Sequence, residues 1–150
     1  MPHKIDEIDK AILETLQEDG RTAFSKIAKK IGVSEATVFM RVKKLLKIGY
    51  IKQFTAITSP ELLGKSLAAF VLINADPKKH QFVLEALQHM DDVYEVYDVT
   101  GSYYAIAKIR TENREKLAKV IDTIGLIEGV ISTETAIVLR CVKEETRIKL

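Results

Sequence analysis

Residues 21–52 hold nine Lys or Arg side chains against one acid, Glu35. Cation at that density suits a polyanion, and its chemistry is non-covalent: each ammonium or guanidinium that meets a phosphate releases condensed counterion. The cations sit on two short helical repeats separated by Gly32-Val33-Ser34, the layout of a helix-turn-helix. In such motifs the second helix enters the major groove of duplex DNA by its N-terminal end, while flanking groups fix the backbone. The candidate contacts are Arg21, Thr22, Ser25 and Lys26 around the first repeat, and Ser34, Glu35, Ala36, Thr37, Met40, Arg41 and Lys44 around the second. Small or polar residues there let base edges come close. Glu35 can accept from cytosine N4 or cap and charge-match the helix start. Arg41 can meet a phosphate, Glu35 or a guanine, and the phosphate is the commonest of these uses.

The elements that must carry these groups follow from the apolar spacing. Phe24, Ile27, Ala28 and Ile31 form one stripe that ends at Gly32, and Ser34 is a good N-cap for a second helix with Val38, Val42, Leu45 and Leu46 on its buried face. A preceding helix over 5–18 places Ile5, Ile8, Ile12, Leu13 and Leu16 together, with Asp6, Glu7 and Asp9 in the turn where the helix dipole favours acid. After Gly49 the aromatic and β-branched run 50–58 reads as a strand, and Ser59-Pro60 and Gly64 punctuate the chain.

From Ser66 the period changes. Residues 67–75 read as a strand, Pro77 to Met90 as a helix burying Phe82, Val83, Leu87 and Met90, and 93–100 and 103–110 as strands joined at Gly101-Ser102. A helix over 113–125 with Leu117, Val120, Ile121 and Ile124 inside, then a long strand over 130–142, completes the order β, α, β, β, α, β. The expected fold class is α+β: a three-helix, winged-type helix-turn-helix domain (1–52), a hinge strand and linker (53–65), and a ferredoxin-like βαββαβ sandwich (66–150). Two helices cover one sheet face. Apolar residues on both alternating sets of the strands predict that the other face is buried against a second subunit.

Composition narrows the classes. With 47% hydrophobic residues the chain is globular, and its net charge of +2 divides into a basic N-terminal third and a slightly acidic remainder. The single cysteine, Cys141, excludes an intrachain disulfide and reads as a buried structural thiol within AIVLRCV. His3, His80 and His89 share no spacing with Cys or paired carboxylates, so no metal site is expected. No Ser, His and Asp constellation, phosphate loop or acid pair marks a catalytic site, and no cofactor is expected. The absence of a signal segment and of an apolar run long enough for a membrane span points to a cytoplasmic protein.

The opening IDEIDKAILETLQEDGR, the segment IAKKIGVSEATVFMRVKKLLKIGYI and the hairpin DVTGSYYAIAKI together resemble the Lrp/AsnC family of leucine-responsive and asparagine-type regulators. The resemblance spans nearly the whole chain. It implies a homodimer joined through the sheet modules and often built into octamers, binding palindromic double-stranded promoter DNA and responding to a small amino acid. It also implies an effector site at Asp98, Val99, Thr100, Gly101, Ser102, Tyr103 and Tyr104, with hydroxyls from Thr133 and Thr135. Gly101 is either a hairpin glycine at positive φ or a gap through which a ligand carboxylate reaches backbone N–H groups, and both can hold. On the residues alone, the two threonines would only solvate a sheet surface. One departure matters: the family hairpin commonly carries Asp where Tyr104 stands. Asp98 and Asp122 are then the acids nearest in sequence to meet an ammonium, and a basic effector such as lysine or arginine becomes a reasonable expectation. The alternative function is an amino-acid-binding regulatory subunit of a metabolic enzyme, with helices that dock protein and not DNA.

Overall fold

The computed structural model describes residues 4–150, so His3 lies outside the described residues. The chain divides into two compact units: one runs up to Ile57 and includes Lys143–Leu150, and the other is Thr58–Val142.

The helical unit contains α1 (Glu7–Glu18), α2 (Phe24–Ile31) and α3 (Glu35–Ile48). Ile12, Leu13, Leu16, Ile27, Ala28, Val38, Val42 and Leu45 make its core, each large side chain contributing about 1.5–3 kcal/mol of burial. The helix starts are chemically fixed. Asp6 caps α1, its carboxylate accepting from Asp9 N–H while the Asp9 carboxylate accepts from Asp6 N–H. Ser34 Oγ accepts from Thr37 N–H at 3.1 Å to begin α3, and Gly32 between the helices takes φ +74°, a conformation that suits glycine. Two expectations fail in this unit. Leu46 is 39% exposed, because the buried stripe of α3 runs through Val38, Val42 and Leu45 and leaves it on the flank. Residues 50–58 form no strand, since no neighbouring strand among the described residues pairs with them. The last residues belong to this unit: Gln17 and Ile148 exchange two hydrogen bonds, Ile148 N–H to Gln17 Oε1 at 2.7 Å and Gln17 Nε2 to Ile148 O at 3.0 Å.

The sheet unit runs β1 (Leu67–Ala75), α4 (His80–Gln88), β2 (Val93–Asp98), β3 (Ala105–Thr111), α5 (Arg114–Gly125) and β4 (Val130–Ile137). Its antiparallel strands lie in the order β2-β3-β1-β4, the ferredoxin-like arrangement. Alternation along the strands sorts the faces. Ala69, Val71, Ile73, Ala105, Ala107 and Ile109 pack with Val83, Leu87, Leu117, Val120 and Ile124 of α4 and α5. Phe70, Leu72 and Ile106, with the charged Lys108, Arg110 and Glu134, share the other face by register. Neither helix covers that face.

Several boundaries move, each for a local reason. Pro77 does not open α4: Asp76 first makes a turn, accepting from Lys78 N–H at 2.9 Å, and the helix begins at His80. Phe82 is 53% exposed because the buried direction set by Val83 and Leu87 leans toward Leu84, which joins the inner face in its place. The β2–β3 connection is the six-residue loop 99–104, not a two-residue turn. Strand β4 stops at Ile137 because its partner β1 begins at Leu67: Ile137 pairs with Ala69, and Val138 N–H donates to Ala68 O at 2.9 Å as the last rung. Cys141 therefore lies beyond the strand and is exposed, not a buried thiol.

Candidate nucleic-acid interface and ligand hairpin

Helix α3 divides its cations into two kinds. Arg41 sits on the flank nearest α1, its side chain 29% exposed, and Nη1 donates to Asp6 Oδ2 at 2.7 Å and to both oxygens of Asp9 at 3.2 Å. Asp9 is nearly sealed, its side chain 3% exposed. The bond from Asp9 N–H, followed by that from Arg41, holds the Asp6 carboxyl below its ordinary range, and the hydrogen bond to Asp6 chiefly raises Arg41. An arginine bound in this way braces the helix start of α1 against α3. These carboxylates engage Arg41 Nη1 in the structure, and no local pattern announces them because they lie 35 and 32 residues away.

The other cations are on the opposite side. At about 100° per residue, the direction facing away from Val38, Val42 and Leu45 passes through Ala36, Met40, Lys43, Lys44 and Lys47, all exposed. Ala36, Met40 and Lys44 are among the expected contacts, whereas Lys43 and Lys47 are additions that the same helical period marks. Ser25, Lys26, Lys29 and Glu35 line one shallow depression where α2 meets the turn. Arg21 and Thr22 sit in the α1–α2 turn, where Arg21 N–H and the Thr22 hydroxyl both donate to Asp19. The Thr37 hydroxyl is taken up by Ser34 at 2.8 Å.

In the sheet unit, Asp98, Val99, Thr100, Ser102, Tyr103 and Ile106 line a second depression formed by the 99–104 loop. The loop is pinned at both ends. Val99 N–H donates to Tyr104 O at 3.1 Å, and Tyr104 N–H donates to Ile73 O at 3.0 Å. Gly101 takes φ +114°, and a Cβ at this position would meet nothing within 4 Å, so conformation and not crowding selects glycine here. The Tyr103 hydroxyl donates to the Glu134 carboxylate, which raises the phenol pKa. Asp98 Oδ1 meets His80 Nε2 at 3.0 Å, and the His80 ring lies 5.3 Å from that of Tyr104.

Three of the expected ligand residues are not part of this cluster. Thr133 and Thr135 pair with Ile73 and Val71 and so share the helix-covered face, as Asp98 does through Ala105. Neither threonine lines the depression, whose Tyr103 and Ile106 reach the open face beside Glu134. Asp122 stands exposed on α5, outside the depression. Glu134 and His80 are the groups that sequence reasoning missed. The alternation of β4 does separate Glu134 from its threonine neighbours, but the register that sets it beside Leu72 is not written in either strand alone. Among the described residues no cluster of His, Cys, Asp and Glu could hold a metal, and no helix is long and apolar enough to cross a membrane.

Comparison with known proteins agrees with both halves of this description. An AsnC-type helix-turn-helix domain matches residues 5–46, and an Lrp/AsnC ligand binding domain matches residues 68–148. The HTH-type transcriptional regulator FL11 of Pyrococcus furiosus is 43% identical over 96% of this chain and 95% of its own. The structure of E. coli AsnC superposes with a TM-score of 0.92 at 35% identity, covering 96% of this chain and 98% of that one. The Mycobacterium tuberculosis leucine response regulatory protein LrpA matches at 28% identity with a TM-score of 0.84, over 96% and 99% of the two chains. The chain belongs to the Lrp/AsnC family: it is a DNA-binding transcriptional regulator with a ligand-binding domain, and not an enzyme.

Proposed function

We propose that this Lrp/AsnC regulator reads specific duplex sequences with the outward face of α3 and that a small amino acid, bound at the 99–104 loop, alters its DNA binding or assembly. The observation that carries the DNA half is the line of three exposed lysines, Lys43, Lys44 and Lys47, opposite the buried stripe of α3. Three aligned ammonium groups suit a phosphate backbone, and Lys26, Lys29 and Arg21 extend the cationic surface. A helix that only docked protein would have no use for so one-sided a charge.

The effector half rests on the loop geometry. In this reading the α-carboxylate meets backbone N–H groups of the 99–104 loop. Asp98 lines the depression but shares the helix-covered face and holds His80, so Glu134, bonded to the lining Tyr103 on the open face, is the acid left for an ammonium. A basic amino acid is the specific form proposed, its side-chain cation meeting Glu134, with Asp122 able to take part only where α5 faces another copy. A homodimer joined through the open sheet face, with octamers as a higher state, supplies the two-fold symmetry that paired half-sites require.

Selection of duplexes from a random pool with the full chain, alone and with each common amino acid, tests both halves. The expected result is enrichment of a two-fold related sequence, and one amino acid that changes its binding. A pool left unenriched in every condition overturns the DNA reading, and enrichment indifferent to all amino acids overturns the effector reading.

A further inference from the structure

The reading face of α3 is unevenly furnished. All three of its lysines, Lys43, Lys44 and Lys47, lie in the C-terminal half, and the N-terminal half that enters the major groove presents Ala36 and Met40. The side chains that read bases with paired hydrogen bonds are Arg for guanine and Asn or Gln for adenine. No Asn or Gln occurs in α3, and its single arginine, Arg41, is held by Asp6 and Asp9. Isolated apolar residues on a surface ordinarily need no explanation. Met40, however, is 60% exposed at the centre of the outward face, whose other long side chains, Lys43, Lys44 and Lys47, are cationic, with Ala36 one turn before it and the 52% exposed Phe39 on the flank beside it. A long, polarisable thioether beside a methyl-sized residue matches one feature of the major groove, the 5-methyl group of thymine.

We propose that Met40, with Ala36 beside it, is a specificity-determining residue that reads thymine 5-methyl groups in the major groove. The proposal rests on the DNA-reading function above and adds the chemistry of the base contact. Glu35 and Lys44 are the rival readers, since a carboxylate accepts from cytosine N4 and an ammonium donates to guanine O6 and N7. Neither would respond to removal of a thymine methyl.

The test uses the full-length protein and a duplex selected by it, resynthesised with deoxyuridine in place of thymidine at one position at a time. Loss of a contacted methyl should weaken wild-type binding by about fourfold at one or two positions in each half-site. Met40→Ala should bind the parent duplex more weakly, keep the wild-type salt dependence and lose the response to deoxyuridine at those positions. Alanine on an exposed helix position favours the helix, so this variant stays folded. Deoxyuridine without effect at every position overturns the proposal while leaving specific DNA binding intact. A response unchanged in Met40→Ala overturns it as well, giving the methyl contact to another residue. A wild-type protein that prefers no sequence removes the DNA reading itself, an outcome distinct from specific but methyl-indifferent binding.

Discussion

Arg41 and Lys44 stand three residues apart on one helix and meet opposite surroundings, whereas the sheet unit collects its candidate ligand groups from a loop, two strands and a helix. In the helical unit, the proposed function and stability divide along a single element: the flank of α3 toward α1 is bonded to Asp6 and Asp9, and the outward face is left to solvent. In the sheet unit the same groups serve both. Asp98 holds His80, Tyr103 holds Glu134, and the loop they support is the proposed ligand site. Substitutions in the first region should therefore separate DNA affinity from folding, and those in the second should disturb ligand binding and local structure together.

The largest effect expected is on the outward face of α3. Replacing Lys43, Lys44 and Lys47 together by alanine should lower duplex affinity on the order of a hundredfold near physiological salt and flatten the salt dependence by about one in slope per lost phosphate contact. The unfolding midpoint should stay near that of the wild type, because none of the three is buried. Fluorescence anisotropy across a salt series, with urea unfolding alongside, reads both quantities.

In the sheet unit, Gly101→Val should lower effector affinity at least tenfold by calorimetry. The physical cause is φ +114° at a position where a branched side chain is strained, since the space beside Gly101 is open. Stability should fall with binding in this variant, in contrast to the lysine variant.

Asp9→Ala removes a sealed carboxylate that accepts from Asp6 N–H and from Arg41. It should destabilise the helical unit by about 2 kcal/mol, measured by urea unfolding. Smaller still is the acid limb set by Asp6. Its folded-state pKa is depressed below 3.8, so its contribution is complete above that value and is lost as pH falls through the depressed one. Stability of the wild type should decline below about pH 4, and Asp6→Asn should flatten that decline while lowering stability at neutral pH.

What was legible in the sequence divides along the same line. Helix periodicity acts within a few residues, so the three helices, the Gly32 turn, the Ser34 cap and the exposure of Ala36, Met40 and Lys44 could all be read locally. The partner of Arg41 could not, because tertiary packing brings Asp6 and Asp9 to it. Strand order in the sheet unit followed from the β, α, β, β, α, β pattern. Faces did not, because register decides which residue of β4 stands beside which residue of β1, and a shift of one exchanges Thr133 and Thr135 for Glu134. The strand expected at 50–58 and the extension of β4 through Cys141 show the same dependence: β-propensity forms a strand only where a partner runs alongside.

The division between bracing and reading on α3 is tested most directly by comparing Arg41→Ala with Lys44→Ala in one set of experiments, urea unfolding and the salt dependence of binding to a selected duplex. Lys44→Ala should leave the unfolding midpoint unchanged and reduce the salt slope by about one. Arg41→Ala should lower the midpoint, and under conditions where it remains folded its salt slope should equal that of the wild type. The reverse pattern, a reduced slope with undiminished stability in Arg41→Ala, would contradict the assignment and return Arg41 to the DNA backbone.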